Sequence, residues 1–185
     1  MLNYLEKYQK EVKPALKKEF GFKNDHAVLK IVKVVINCGI GKMLINNSSN
    51  SKELLTKIEE DLKMITGQKP VLRMAKKSIS NFKLREGMPV GLVVTLRGKR
   101  MADFIDRFIN IALPRTRDFW GISLKSFDER GNLNFGVKEQ MVFPEISAES
   151  AAKPFSFEVS FVTNAKQPEQ AKRLFKLLGF PLKKE

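Results

Sequence analysis

Apolar residues recur along this chain in two rhythms. The first has a period of three to four, the spacing of one helix face. Leu5, Tyr8, Val12 and Leu16 follow it and predict a helix over 2–20, with Pro14 kinking it or opening a new turn and Gly21 ending it. Leu54, Leu55, Ile58, Leu62 and Ile65 predict a second helix over 51–66, with Asn50 and Glu53 capping its start and Gly67 stopping it. Met101, Phe104, Ile105, Phe108 and Ile111 predict a third over 99–112, closed by Pro114. Ala171, Leu174, Phe175 and Leu178 predict a last helix that starts at Pro168 and meets Gly179.

The second rhythm has a period of two. In the β-branched run from Val28 to Cys38, one face carries Val28, Lys30, Val32, Val34, Ile36 and Cys38. The other carries Leu29, Ile31, Lys33, Val35 and Asn37, and turns polar toward its end. From Val90 to Arg97 the alternation sets Val90, Leu92, Val94 and Leu96 against Gly91, Val93, Thr95 and Arg97. Strands are also expected over 134–138 and 155–163, the latter with Phe155, Phe157, Val159 and Phe161 on one face. A Gly39-Ile40-Gly41 turn and a polar Asn/Ser loop follow the first strand, and short strand pieces are expected around a loop near 73–88.

Helices and strands interleave irregularly, without repeat or linker and without a strict βαβ rhythm. This predicts an α+β fold in two layers, with helices on one face of a largely antiparallel or mixed sheet and the other face open. The 185 residues suit one domain, 1–185, with an extended basic loop at about 73–88.

Charge sharpens the picture. Lys and Arg number 34 against 20 Asp and Glu, a formal +14. Between Lys69 and Arg100 there are nine Lys or Arg and one acid, Glu86, a net +8 in 32 residues. Soluble surfaces normally intersperse signs, so charge this concentrated implies a phosphate backbone as its complement.

Other chemistry is thin. One cysteine, Cys38, allows no internal disulfide, and with one histidine, His26, there is no zinc site of the common kinds and no metal or cofactor is expected. Gly39-Ile40-Gly41-Lys42 fails the phosphate-loop pattern, because position 36 is Ile and position 43 is Met. Cys38 shares a face with Val34 and Ile36 and reads as a small buried hydrophobe. No stretch is long enough to span a membrane, and the N-terminus lacks the apolar core of a signal peptide, so a cytoplasmic or organelle-made protein is expected. An RNA-modifying enzyme would need an acid/base pair or cofactor loop. A membrane-surface protein would need an amphipathic helix with a basic face, whereas the helices here are of mixed charge.

Three surfaces can meet RNA. On the open sheet face, Lys33 and Arg97 offer cations for phosphate, while Asn37 and Thr95 can bond a 2′-hydroxyl or a base edge. The loop from Arg73 to Pro89 offers Lys76, Lys77, Lys83 and Arg85, the polar Ser78, Ser80 and Asn81, and Phe82 as a stacking plane. The run Leu113 to Gly121 sets Arg115 and Arg117 beside Phe119 and Trp120. The plain alternative there is a structural turn with both aromatics buried and Arg117 paired to Asp118.

Long ordered blocks carry a resemblance. They include YQKEVKPALKKEFGF from Tyr8, KVVINCGIG from Lys33, ITGQKPV from Ile65, AKKSISNFKLREGMPVG from Ala75, VTLRGKRM from Val94, IALPRTRDFWG from Ile111, FDERG from Phe127, GVKEQMVFPEI from Gly136 and VTNAK from Val162. Through them the chain resembles, nearly end to end, the bacterial-type large-subunit ribosomal protein number five family, which carries 5S rRNA. The resemblance implies a non-catalytic protein of the central protuberance of a cytoplasmic ribosome. It implies 5S rRNA contact through Asn37, Gln68, Thr95 and Arg97, and P-site tRNA contact through the loop Arg73 to Arg85, with Lys76, Lys77 and Ser78 near its tip. It also implies that Arg115 and Arg117 lie near large-subunit rRNA and that a small-subunit head protein is a neighbour across the subunit bridge. Two departures stand out. Trp120 occupies a position where the family often has Arg or another polar residue, and 147–160 follow the family pattern loosely.

Overall fold

The alternating strands pair into one antiparallel sheet of five, in the order β2-β3-β1-β5-β4. The structure, a computed structural model, describes residues 3–46, 50–146 and 153–183. The strands are β1 (Ile31–Gly39), β2 (Val71–Met74), β3 (Pro89–Leu96), β4 (Leu133–Val137) and β5 (Phe157–Thr163). The sheet is open, with β2 and β4 at its edges. This is the α+β architecture that the two rhythms predict.

The helices are α1 (Tyr4–Lys7), α2 (Lys13–Phe20), α3 (Gly41–Asn46), α4 (Ser51–Thr66), α5 (Gly98–Arg107), α6 (Leu113–Arg115) and α7 (Pro168–Leu178). Wider π-type turns, Tyr8–Val12 and Phe108–Ala112, join α1 to α2 and α5 to α6. The chain divides into two compact units. One comprises Met1–Val34, Leu96–Phe135 and Ser160–Glu185; the other comprises Val35–Thr95 and Gly136–Val159.

The first unit is built around aromatic side chains. Phe108 lies 5.9 Å from Phe104, 5.3 Å from Phe161 and edge-on at 5.7 Å to Phe135. Phe161, Phe175 and Phe180 meet edge to face at 4.8–6.1 Å, the arrangement that ring quadrupoles favour. Polar groups pin the chain ends to this core. The Tyr4 N–H donates to the Asp106 carboxylate at 2.9 Å, and Lys7 Nζ donates to the Leu178 carbonyl at 3.0 Å, one of the carbonyls left open at the end of α7. The Asn164 carboxamide accepts from the Lys30 N–H at 2.7 Å and donates to the Val28 carbonyl at 3.2 Å, holding the approach to β1.

The second unit buries Ile36 and Cys38 of β1, Leu92 and Val94 of β3, Phe157 and Val159 of β5, and Leu54, Ile58, Leu62 and Ile65 of α4. Phe143 and Phe157 meet at 6.1 Å, and the buried Gln140 side chain accepts from the Phe155 N–H at 3.0 Å.

Several expectations need correcting. Strand β1 starts at Ile31, so Val28 and Leu29 are buried without being strand residues. Its burial also departs from strict alternation: Ile31 and Val34 are both buried, three apart, while Val32 is 43% exposed. Burial therefore alternates with a period of two only from Val34 onward, and at the start of the strand it is Ile31, not Val32, that is covered. The segment after Gly41 is helix α3, not loop; residues 47–49 of the expected Asn/Ser loop lie outside the described residues. Asn50 stands at the start of α4 but makes no side-chain capping bond, and Glu53 pairs with Lys57 one turn on. Pro114 does not close the third helix. The helical backbone runs on through the π-type turn, and helix persists to Arg115. Ile111 is half-exposed, because the π-type turn rotates it off the buried stripe.

Candidate nucleic-acid interface

From Val34 on, the inward residues Val34, Ile36 and Cys38 of β1 are buried, which leaves Val35 and Asn37 half-exposed on the other face. In β3 the same rule buries Leu92, Val94 and Leu96 and leaves Gly91, Val93 and Thr95 half-exposed. Neither Asn37 nor Thr95 is in the interior. Burial pushes the Cys38 thiol up to about 12, and its Sγ lies 3.5 Å from the Ser156 carbonyl, so Cys38 is a packing residue.

Gln68 reaches this part of the sheet from beyond α4. The helix ends at Thr66, whose hydroxyl is buried. Its Oγ1 lies 2.7 Å from the Leu62 carbonyl and 2.9 Å from the Gln68 carbonyl, and it accepts from the Gln68 N–H at 3.3 Å. The clamped Gln68 then donates from Nε2 to the Thr95 carbonyl at 3.3 Å. One carboxamide hydrogen is thus committed within the protein. The carboxamide oxygen is the free end.

Arg73 is a strand residue, which corrects its assignment to the loop. It pairs across β2–β3 with Gly91, as Val71 pairs with Val93, and so projects from the same half-exposed face. Gly91 suits that place, since a Cβ there would meet the Cys38 carbonyl at 3.2 Å. The register shifts between Arg73 and Met74, and the loop proper begins there.

The loop is a closed hairpin-like arm. The Ala75 N–H donates to the Met88 carbonyl at 2.8 Å, and the Gly87 N–H to the Ala75 carbonyl at 3.0 Å. Further out, the Glu86 N–H donates to Ser78 Oγ at 2.9 Å, and Ile79 pairs with Leu84. The tip is Ser80–Phe82, turned by Lys83 at φ 51°. Lys76, Lys77 and Ser78 therefore lie along the stem, not at the tip, and Ser78 has one lone pair engaged in holding the arm together. Phe82 is 70% exposed at the tip. Lys76, Lys77, Lys83 and Arg85 are exposed, and none pairs with an acid among the described residues.

In the first unit, Lys33 is half-exposed on β1 and Arg97 is exposed in extended backbone at the N-terminus of α5. Arg115 and Arg117 are exposed as well. The buried-turn alternative for this segment fails at two points: Trp120 is 83% exposed, and no Arg117–Asp118 ion pair forms. Only Phe119 packs, edge-on to Phe135 at 6.2 Å. No period-two pattern marks Trp120 as outward, since Phe119 and the buried Ile122 lie three residues apart. His26 is exposed, and its N–H donates to Asn24 Oδ1 at 2.9 Å.

Among the described residues there is no cluster of His, Cys, Asp or Glu able to hold a metal ion, and no helix long and apolar enough to cross a membrane. A stiff sheet that displays amide, hydroxyl and guanidinium groups, beside an arm of cations without acidic partners among the described residues, has the chemistry of an RNA-binding surface. Comparison with known proteins agrees. The family model described as ribosomal protein L5 matches residues 24–85, and that of the ribosomal L5P family C-terminus matches residues 89–182. The large ribosomal subunit protein uL5 of Fervidobacterium nodosum is 51% identical over 180 residues, covering 97% of this chain and 95% of its own. Those of a Thermoanaerobacter species and of Dictyoglomus turgidum are 52% and 51% identical over 179 residues, each covering 97% of both chains.

The chain belongs to the ribosomal protein L5 family, whose members are non-enzymatic structural proteins of the large ribosomal subunit. RNA binding and a role in translation follow from that membership, and they fit the expectation of a cytoplasmic ribosomal protein.

Proposed function

We propose that this large-subunit protein binds 5S rRNA through the half-exposed sheet face and reaches P-site tRNA with the arm between Ala75 and Met88. Asn37, Thr95 and the free oxygen of Gln68 bond 2′-hydroxyls or base edges. Arg73, Lys33 and Arg97 neutralise phosphates. Arg115 and Arg117 contact large-subunit rRNA, and neighbouring ribosomal proteins, including a small-subunit head protein across the bridge, complete the setting. The bridge contacts expected from 147–160 lie partly outside the described residues.

The observation that carries the reading is the pairing of Arg73 with Gly91, which gathers a guanidinium with the amide and hydroxyl groups on one stiff surface. Strand residues lose little freedom on binding, so donors held there are preorganised. A filter-binding titration tests it. About six phosphate contacts, each adding roughly 0.7–0.9 to the salt slope, lower affinity for 5S rRNA about 10³-fold between 50 and 200 mM salt. Asn37→Ala or Thr95→Ala weakens binding by about 1–3 kcal/mol by leaving an RNA group unpaired. Lys76→Glu with Lys77→Glu leaves 5S binding intact and impairs tRNA-dependent steps. A flat salt response refutes the model, and loss of 5S binding in the double variant refutes the division between sheet and arm.

A further inference from the structure

Trp120 is the single tryptophan of the chain, and at 83% exposure it is the most open large apolar side chain among the described residues. An indole left in water at this level is unusual for a residue that is highly buried on average. The backbone around it is fixed. After α6, the Thr116 hydroxyl donates to the Ala112 carbonyl at 3.0 Å and the Thr116 N–H to the Leu113 carbonyl at 3.1 Å. Asp118 then turns the chain with φ 54°, and Phe119 anchors edge-on against Phe135.

Beyond the indole, Ile122 is 1% exposed and ties in on both sides: its N–H donates to the Pro181 carbonyl at 2.7 Å, and its carbonyl accepts from the Lys183 N–H at 2.9 Å. Gly121, with φ 99°, lies so close to the Pro181–Lys183 backbone that a Cβ would meet it at 3.1–3.2 Å. The segment on either side of the indole is therefore held, and the ring itself has no protein partner to cover it.

The surroundings are cationic. Arg115 and Arg117 are exposed and free of acidic partners among the described residues, and the Lys183 stem runs beside Gly121. Asp118 is the one acid in the run from Arg115 to Lys125. A flat, rigid π-face among unpaired cations matches a nucleobase attached to phosphates. Protein interfaces also use Trp with Arg, but arginines left without acidic partners in a chain of formal charge +14 favour a polyanion.

We infer that Trp120 is a stacking step for one unpaired base of ribosomal RNA, with Arg115 and Arg117 holding the flanking phosphates. The inference rests on the RNA-binding reading above and deepens it at a position where the family pattern often has Arg. Stacking requires the base to be out of its helix, so the contact selects a bulge or loop over a paired stem.

Because there is no other tryptophan, emission from the full chain reports this position alone. Titration with 5S rRNA and with large-subunit rRNA is followed in parallel by fluorescence and by retention on filters. The step predicts that emission falls by about half or more in register with retention of the long rRNA. Trp120→Ala weakens that binding roughly 5- to 100-fold with an unchanged salt slope. Trp120→Phe stays close to wild type, and Trp120→Leu resembles Trp120→Ala although it is apolar. Retention of rRNA with unaltered emission and full binding by Trp120→Ala overturns the inference and leaves the RNA-binding reading standing. Emission that responds to RNA-free ribosomal proteins but not to rRNA also overturns it and assigns the ring to a protein contact. No retention of either RNA overturns the RNA-binding reading itself.

Discussion

Replacing Thr66 by Val isolates one buried hydroxyl that joins α4 to Gln68, the residue proposed above to meet 5S rRNA. Thr66 is 1% exposed, and Val matches its shape, so no cavity opens. The hydroxyl has one proton, shared between the Leu62 carbonyl at 2.7 Å and the Gln68 carbonyl at 2.9 Å, and it accepts one bond from the Gln68 N–H at 3.3 Å. Two bonds are therefore lost, one of them long. At about 1 kcal/mol for a typical net bond, and less for the long one, the loss is about 1–2 kcal/mol. Leu62 retains its helical partner, which keeps the figure from rising further.

In a urea titration the midpoint falls while the slope stays the same, and the melting temperature drops by about 2–8 °C. Thr66→Ser keeps both bonds and loses only a methyl group, so it is not expected to show the loss of the Gln68 clamp. That clamp is read separately by 5S rRNA affinity, which falls in Thr66→Val and is retained in Thr66→Ser. An unchanged midpoint in Thr66→Val would refute the reasoning, because it would mean that the hydroxyl does not hold Gln68.

Three further outcomes are expected. Gly131→Ala destabilises the protein by about 1–3 kcal/mol in the same urea assay, because the residue has φ 76° and a Cβ would lie 2.9 Å from the Ala171 Cβ. Cys38, with its thiol held up to about 12 by burial, stays unmodified by a thiol reagent at pH 8 in the native protein and reacts once urea unfolds it; reaction at the rate of a free thiol would contradict its burial. Hydrogen bonds from Lys17 and Lys13 hold the Asp25 carboxyl down to about 2, so its titration followed by NMR has its midpoint there. The folded value lies below the unfolded one, so the stability it contributes is present above about 3.8 and is lost as pH falls toward 2. Lys17→Gln moves that midpoint upward.

The helices were legible because their apolar stripes are long: α4 and α7 fall within a residue or two of where Leu54 to Ile65 and Ala171 to Leu178 put them. The inward and outward faces of β3 were equally legible, since an eight-residue alternation has one phase. Strand β1 was harder. A run rich in β-branched residues looks the same in either phase, so the sequence does not reveal that Ile31 is covered while Val32 is left open. Helix α3 escaped notice because Gly41 and Asn46 read as turn residues and six positions are too few for a stripe. At the site, Asn37, Thr95 and Arg97 followed from alternation. Lys76 and Lys77 were placed in the arm by charge, Gln68 came only through resemblance, the tip position that the resemblance gave Lys76, Lys77 and Ser78 belongs instead to Ser80–Phe82, and Arg73 was misassigned to the arm. The register of β2 against Gly91, and the bonds from Ala75 to Met88 and Gly87, depend on pairing between distant stretches that no local spacing encodes.

The bonds that close the basic arm upon itself have an evolutionary corollary. An arm whose own backbone supplies its rungs draws little on the sheet for its shape, so its tip can change residue by residue without disturbing the sheet. Lineages are then free to vary the sequence around Ser80–Phe82, whereas Gly87, at φ 79°, and the buried Ala75 admit few other side chains. Variation across relatives should accordingly pool at the far end of the arm and thin out toward its root.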